Sequence, residues 1–77
     1  MIKAAVIGAS GYTGSELARI LSRHPRISLE TITSRKRAGE SIAEAMPFLR
    51  GFSDLTFVDS LPDDEDYDVV FLATPHT

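Results

Sequence analysis

The sequence contains no cysteine among its 77 residues. This absence excludes a disulfide scaffold and a thiolate metal site within this stretch. It also excludes a cysteine nucleophile, because nucleophilic catalysis by cysteine needs a thiolate. Any function of these residues must therefore rest on other chemical groups.

The sequence also lacks a large charge excess, a long apolar run and a targeting segment. The net charge is −3, which gives no overall attraction to nucleic acid or to an anionic membrane. No apolar run approaches the roughly 18 residues of a membrane span. The N-terminal residues lead directly into a strand-like run without a cleavable signal. We therefore expect a cytoplasmic protein with no nucleic-acid or membrane partner.

The most informative stretch is the sequence GASGYTG at positions 8–14. It follows a short apolar run at positions 4–7 and precedes apolar residues at helical spacing, Leu17, Ile20 and Leu21. The order of strand, glycine turn and helix is what distinguishes a dinucleotide-binding turn from a stray glycine pattern. Here Gly8 would allow a tight turn.

The other two glycines have separate expected roles. Gly11 has no Cβ, so the backbone can lie close to a pyrophosphate, and Gly14 allows the helix to pack tightly against the strand. The free N–H groups of the first helical turn would face the phosphates. The spacing is GxxGxxG rather than GxGxxG. It therefore also allows a turn that binds nothing, or an epimerase-like or short-chain dehydrogenase, which would need a downstream Tyr-x-x-x-Lys.

Hydrophobic periodicity predicts the remaining elements. Residues 2–7 form a buried strand, and residues from about 12 to 23 form a helix that ends before Pro25. The apolar face of this helix would consist of Leu17, Ala18, Ile20 and Leu21. Thr13 and Glu16 have the spacing of a capping box, and His24 is expected at the surface.

The second half of the sequence has weaker patterns. Residues 27–33 predict a strand whose side chains alternate, and residues 40–46 predict a short helix. Residues 55–58 suggest a short strand, whereas residues 68–73 form a continuous apolar strand typical of a central parallel strand. The acidic stretch between them is interpreted as a solvated turn rather than a metal site.

A basic turn follows the second predicted strand. Ser34 lies 20 residues after Gly14 and is followed by Arg35, Lys36 and Arg37. In a βαβ dinucleotide fold an acidic residue at this place binds the ribose hydroxyls of NAD, whereas a basic residue accommodates the 2′-phosphate of NADP. Ser34 can donate to a phosphate oxygen, and Arg35 can bind it through two N–H groups. The alternative is a solvated basic loop.

The predicted elements describe an α/β protein, the N-terminal portion of a Rossmann-type doubly wound parallel sheet. Since ligands bind outside the carboxyl ends of parallel strands, Gly8, Ser34 and Thr74 should meet at one crevice. Thr74 and Pro75 would line the ribose or the nicotinamide, or would form a simple turn. We expect residues 1–77 to be a partial dinucleotide-binding domain, without the catalytic and dimerisation domain and with its last strand uncovered.

Joined together, four segments resemble the N-terminus of the N-acetyl-gamma-glutamyl-phosphate reductase family. They are GASGYTG at 8–14, TSR at 33–35, PFLRG at 47–51 and VFLATPH at 70–76. The sequence is also similar to the LysW-aminoadipate 6-phosphate reductases of lysine biosynthesis, and more distantly to aspartate-semialdehyde dehydrogenases.

The resemblance implies an NADPH-dependent reduction of an acyl phosphate to an aldehyde in arginine biosynthesis. In that family a downstream cysteine attacks the acyl phosphate, so this chain alone should be inactive and holds no catalytic residue. The residues implied to touch the cofactor phosphates are Ser10, Gly11, Tyr12 and Thr13, and those at the 2′-phosphate are Ser34, Arg35 and Lys36. The acyl-phosphate substrate would bind to the missing part of a homo-oligomeric parent protein. A non-catalytic nucleotide-binding module is the alternative.

Overall fold

A computed structural model describes residues 1–8, 11–47 and 55–73. The elements along the chain are β1 (Ile2–Ile7), α1 (Tyr12–Ser22), β2 (Ile27–Thr33), α2 (Ile42–Ala45) and β3 (Val69–Leu72). The three strands form one parallel sheet in the order β2-β1-β3. This βαβ arrangement confirms the predicted α/β fold class.

The centre of the sheet is β1, which pairs with a strand on each side. Ala4, Ala5 and Val6 are fully buried. A parallel strand that is buried on both faces needs such a continuous apolar run, because neither face is solvated. The chain leaves the carboxyl end of this central strand at Gly8.

Helix α1 packs on one face of the sheet through Ala18 and Leu21, which are buried in a cluster with Val6 and Ile32. The prediction that Ile20 belongs to this apolar face is wrong, because Ile20 is 51% exposed. Ile20 is rotated away from the sheet relative to Ala18 and Leu21, as the 100° step between helical residues requires. The helix ends before Pro25, and His24 is exposed as expected.

Strand β2 does not alternate regularly, contrary to the prediction. Its register with β1 shifts by one residue, so that Ala4 pairs with Leu29 but Ala5 pairs with Thr31. Glu30 is the extra residue of this bulge and is exposed. A bulge inverts the alternation beyond it. Leu29 and Ile32 consequently both face the cluster under α1.

The predicted strand at 55–58 is present only as two single bridges. Val58 pairs with Thr33 in a parallel bridge, and Thr56 pairs with Ser41 in an antiparallel one. Between them Phe57 is almost completely buried in the hydrophobic cluster that also contains Val6 and Ile32, called the main cluster below. The parallel bridge places the carboxyl end of this segment beside that of β2.

Helix α2 confirms the prediction of a short helix in this region. Ser41 caps it by accepting a hydrogen bond from the N–H of Glu44. Ile42 and Met46 are buried in the main cluster, and Ala45 is partly buried against it.

The two faces of β3 differ in exposure. Val69 and Phe71 are half-buried, whereas Val70 is 40% and Leu72 is 74% exposed. Within the described ranges β3 pairs only with β1 and is therefore an edge strand of the sheet. Its apolar sequence had suggested a central strand. Neither helix in these ranges is long and apolar enough to cross a membrane.

Candidate dinucleotide site

A cavity of about 480 Å³ opens at the carboxyl edge of the sheet. It is lined at the end of β1 by Ile7 and Gly8, and at the end of β2 by Thr33, Ser34 and Arg35. Adjacent parallel strands bring their carboxyl ends together, so residues 25 or more positions apart in sequence meet here. The expected meeting of Gly8 with Ser34 is confirmed, whereas Thr74 and Pro75 lie outside the described residues.

The glycine turn leaves β1 through a conformation that favours glycine. Gly8 has φ +82°, in the region that other residues rarely adopt. Its N–H donates to the carbonyl of Thr33 at 3.1 Å and is also 3.2 Å from the hydroxyl of the same residue. Ser10 lies outside the described residues.

The N-cap of α1 is Gly11. Among the residues that the structure describes no side chain caps this helix, and its first turn holds no acidic residue. The capping box predicted for Thr13 is therefore wrong: the N-cap is Gly11, the helix begins at Tyr12, and Thr13 lies inside it. No atom among the described residues lies within 4 Å of the place where a Cβ on Gly11 would stand. The first N–H groups of a helix have no carbonyl partner within it, and with the helix dipole they suit an anion such as a pyrophosphate.

The other predicted residues of this turn are divided between surface and core. Tyr12 and Thr13 are exposed at the open end of α1. Gly14 is buried, as expected for a glycine that allows close packing of helix and strand.

The basic turn is held by Ser34, which is 5% exposed. The Ser34 N–H donates to the carbonyl of Val58 at 2.8 Å, and its hydroxyl oxygen accepts from the N–H of Arg37 at 3.2 Å. The hydroxyl still has its own hydrogen to donate. The turn closes at Gly39, which has φ +92° and donates its N–H to the carbonyl of Phe57. The predicted phosphate donor therefore also shapes the turn that carries the cations.

The three cations of this turn have different surroundings. Arg35 lines the cavity, whereas Lys36 is exposed and is not among the lining residues. Arg37 forms an ion pair with Glu40 at 3.5 Å. Within the part of the chain that the structure describes, neither Arg35 nor Lys36 forms an ion pair. Arg35 is thus the cation best placed to meet a ligand phosphate.

The third wall of the cavity consists of Asp59, Ser60 and Leu61. The sequence interpretation missed these residues because it treated the acidic stretch from Asp59 to Asp68 as a solvated turn. The available signal was their position directly after the segment at 55–58, whose parallel bridge to Thr33 brings them to the same sheet edge. The adjacent acidic stretch is held to β1 by Lys3, through an ion pair with Glu65 at 3.7 Å and a hydrogen bond from the Lys3 N–H to Asp68.

One ion pair on α1 lies beyond the glycine turn. The Arg19 guanidinium donates two hydrogen bonds to Glu16, at 3.0 and 3.1 Å. These bonds lower the pKa of Glu16 and raise the pKa of Arg19. Both groups therefore stay ionised, and their opposite charges cancel. The pair adds no net charge near the N-terminal end of α1.

The sequence matches the family model described as semialdehyde dehydrogenase, NAD binding domain, over residues 3–77. Curated relatives include the N-acetyl-gamma-glutamyl-phosphate reductase of Moorella thermoacetica, 51% identical over 99% of this chain. A LysW-aminoadipate/LysW-glutamate phosphate reductase of Pyrococcus abyssi is 53% identical over the same share. The chain spans 22% of the length of each of these two relatives.

Among solved structures the chain is similar to the aspartate semialdehyde dehydrogenase of Candida albicans, crystallised with NADP. The TM-score is 0.80 at 26% identity, and the match covers 97% of this chain and 24% of the other. The match supports the Rossmann-like assignment of the three-stranded sheet.

Proposed function

Because this chain belongs to the semialdehyde dehydrogenase NAD-binding domain family, we propose that it binds NADP at the carboxyl edge of its sheet. The observation that carries the proposal is the cavity shared by Gly8, Ser34 and Arg35. Gly8, where the glycine turn leaves β1, and the basic turn both line this cavity, which supports a pyrophosphate site beside a 2′-phosphate site. β2 ends at Thr33 and is followed by Ser34, so neither residue at the place that selects NAD is acidic.

Each group would hold a different part of the cofactor. Ser10, Gly11, Tyr12 and Thr13 would contact the pyrophosphate at the positive end of α1. The Ser34 hydroxyl would donate to the 2′-phosphate, Arg35 would bind it through two N–H groups, and Lys36 would add charge nearby. Thr74 and Pro75 are proposed to line the ribose or the nicotinamide end.

The parent activity that we propose is the reduction of an acyl phosphate to a semialdehyde with release of phosphate. Bound NADPH supplies the hydride. These 77 residues contain no cysteine, so the nucleophile would belong to another part of the parent protein. The role of these residues would be to bind and orient the cofactor. The substrate would bind to other parts of a cytoplasmic, homo-oligomeric reductase. This chain alone would be inactive.

N-acetyl-glutamyl phosphate is the proposed substrate, in agreement with the names of the relatives. The Pyrococcus abyssi relative, at 53% identity, favours a LysW-linked acyl phosphate as the second candidate. The described residues are proposed to contact the cofactor and do not discriminate between these two substrates.

The reverse reaction tests the proposal in the protein as its gene encodes it. N-acetyl-glutamate semialdehyde, phosphate and NADP should yield NADPH, followed by its absorbance, and omission of phosphate is the control. Turnover with only the LysW-linked semialdehyde would establish the second candidate. Binding of NADP without turnover of either substrate would instead indicate a nucleotide-binding module.

A further inference from the structure

The buried hydroxyl of Thr33 lies between the two turns of the cavity. Thr33 is 4% exposed and ends β2, directly before Ser34. Its side-chain oxygen and its carbonyl oxygen both receive the N–H of Gly8, at 3.2 and 3.1 Å. The carbonyl contact continues the parallel ladder, whereas the hydroxyl contact is an additional one that most residues at this place would not provide.

The two contacts fix Gly8 at the point where the glycine turn leaves the sheet. Gly8 has positive φ, and glycine has the greatest backbone freedom of all residues. On the other side, Thr33 is joined by one peptide bond to Ser34, whose hydroxyl holds the basic turn through Arg37. Thr33 therefore connects the two turns, through its contacts with Gly8 on one side and its peptide bond to Ser34 on the other.

We propose that Thr33 is a positioning residue that sets the distance between the pyrophosphate-binding turn and the 2′-phosphate-binding turn. This inference rests on the proposed NADP function. A ligand with phosphates at the 2′ and 5′ positions of one ribose gains most from two sites when their spacing is preset, since otherwise part of the binding free energy is lost in ordering the loops.

Three small ligands separate this role from simple structural support. 2′,5′-ADP engages both turns, 5′-AMP only the glycine turn, and 2′-AMP only the basic turn. In the protein as its gene encodes it, Thr33→Val keeps the branched shape and removes the hydroxyl. We expect it to weaken 2′,5′-ADP by about three- to tenfold, and each monophosphate by less than about twofold. Thr33→Ser, which keeps the hydroxyl, should restore most of the affinity.

Calorimetric titration gives all affinities, and a thermal melt reports the fold of each variant. Unchanged 2′,5′-ADP affinity in Thr33→Val would overturn the positioning role. An equal loss for all three ligands would also overturn it, because a general structural defect affects each turn alike. If the unsubstituted protein binds 5′-AMP but gains nothing from the added 2′-phosphate, the NADP proposal fails, independently of Thr33.

Discussion

The two turns at the carboxyl edge of the sheet are built from different materials. The glycine turn offers the backbone N–H groups of the helix start and, among the described residues, open space where a Cβ on Gly11 would stand. The basic turn offers side chains: Ser34 is buried and hydrogen-bonded, and Arg35 lines the cavity. Backbone groups suit the pyrophosphate that all dinucleotides share, whereas side chains can distinguish NADP from NAD.

The two turns also differ in how much their residues support the fold. No described atom lies near the place of a Cβ on Gly11, whereas the Ser34 hydroxyl accepts a hydrogen bond from the N–H of Arg37 and so supports its own turn. Substitutions in the glycine turn should therefore act on affinity for both cofactors, and substitutions in the basic turn on selectivity.

The largest effect is expected for Gly11→Ala. Its φ of −81° suits alanine, and no described atom opposes the new methyl group. The methyl would occupy space needed by the pyrophosphate, so affinity for NAD and NADP should both fall more than about tenfold, a cost of about 1.4 kcal/mol or more. Titration measures the affinities, and Tm should fall only slightly, because alanine is a poorer N-cap residue than glycine but its φ is unstrained here.

Gly39→Ala is the matched control for Gly11→Ala. Its Cβ position is equally open among the described residues, but its φ is +92°. Alanine is strained there, at a cost of about 1 kcal/mol, so Tm should fall. If Gly11→Ala lowers Tm as much as Gly39→Ala, its effect on binding reflects folding and the contrast between the turns is lost.

Arg35→Gln should reduce selectivity rather than binding in general. A hydrogen bond to a charged group contributes about 1.5–3 kcal/mol, and exposure of Arg35 puts the effect at the lower end, about tenfold weaker NADP binding. Affinity for NAD should be nearly unchanged. Arg37→Gln is the control, since Arg37 is paired with Glu40 and its loss should matter less. Equal effects of both substitutions would mean that only the summed charge of the turn counts.

The smallest effect is expected for Glu16→Gln, outside both turns. Because the Arg19 hydrogen bonds lower the pKa of Glu16 below its ordinary value of 4.5, the folded state favours the ionised carboxylate. The stabilisation is present above 4.5 and is lost as pH falls through the lowered pKa. Tm of the variant should be slightly low at neutral pH and should equal that of the original protein in acid. A difference that persists in acid would contradict the ion-pair origin.

Local patterns in the sequence predicted the strand, turn and helix around Gly8 correctly, because glycine chemistry and apolar periodicity act over a few neighbouring residues. The offset of Ser34 from Gly14 also located the basic turn. The bulge at Glu30 was not predictable in this way, since it depends on how β2 pairs with β1.

The missed parts of the site have the same cause. Leu61 reaches the cavity through a single bridge between Val58 and Thr33, and the second contact of Gly8 comes from a threonine 25 residues away. Such contacts depend on strand order, which no local pattern encodes. Thr33 was part of the sequence resemblance, but its contact with Gly8 became visible only with the sheet assembled.

Comparative titration of the protein with NADP and NAD, at low and moderate salt, tests the central claim most directly. We predict tighter binding of NADP, by about tenfold or more at low salt. The advantage should shrink as salt screens the 2′-phosphate from Arg35. Equal affinities, or an NADP preference that is insensitive to salt, would contradict the assignment of the basic turn as the 2′-phosphate site.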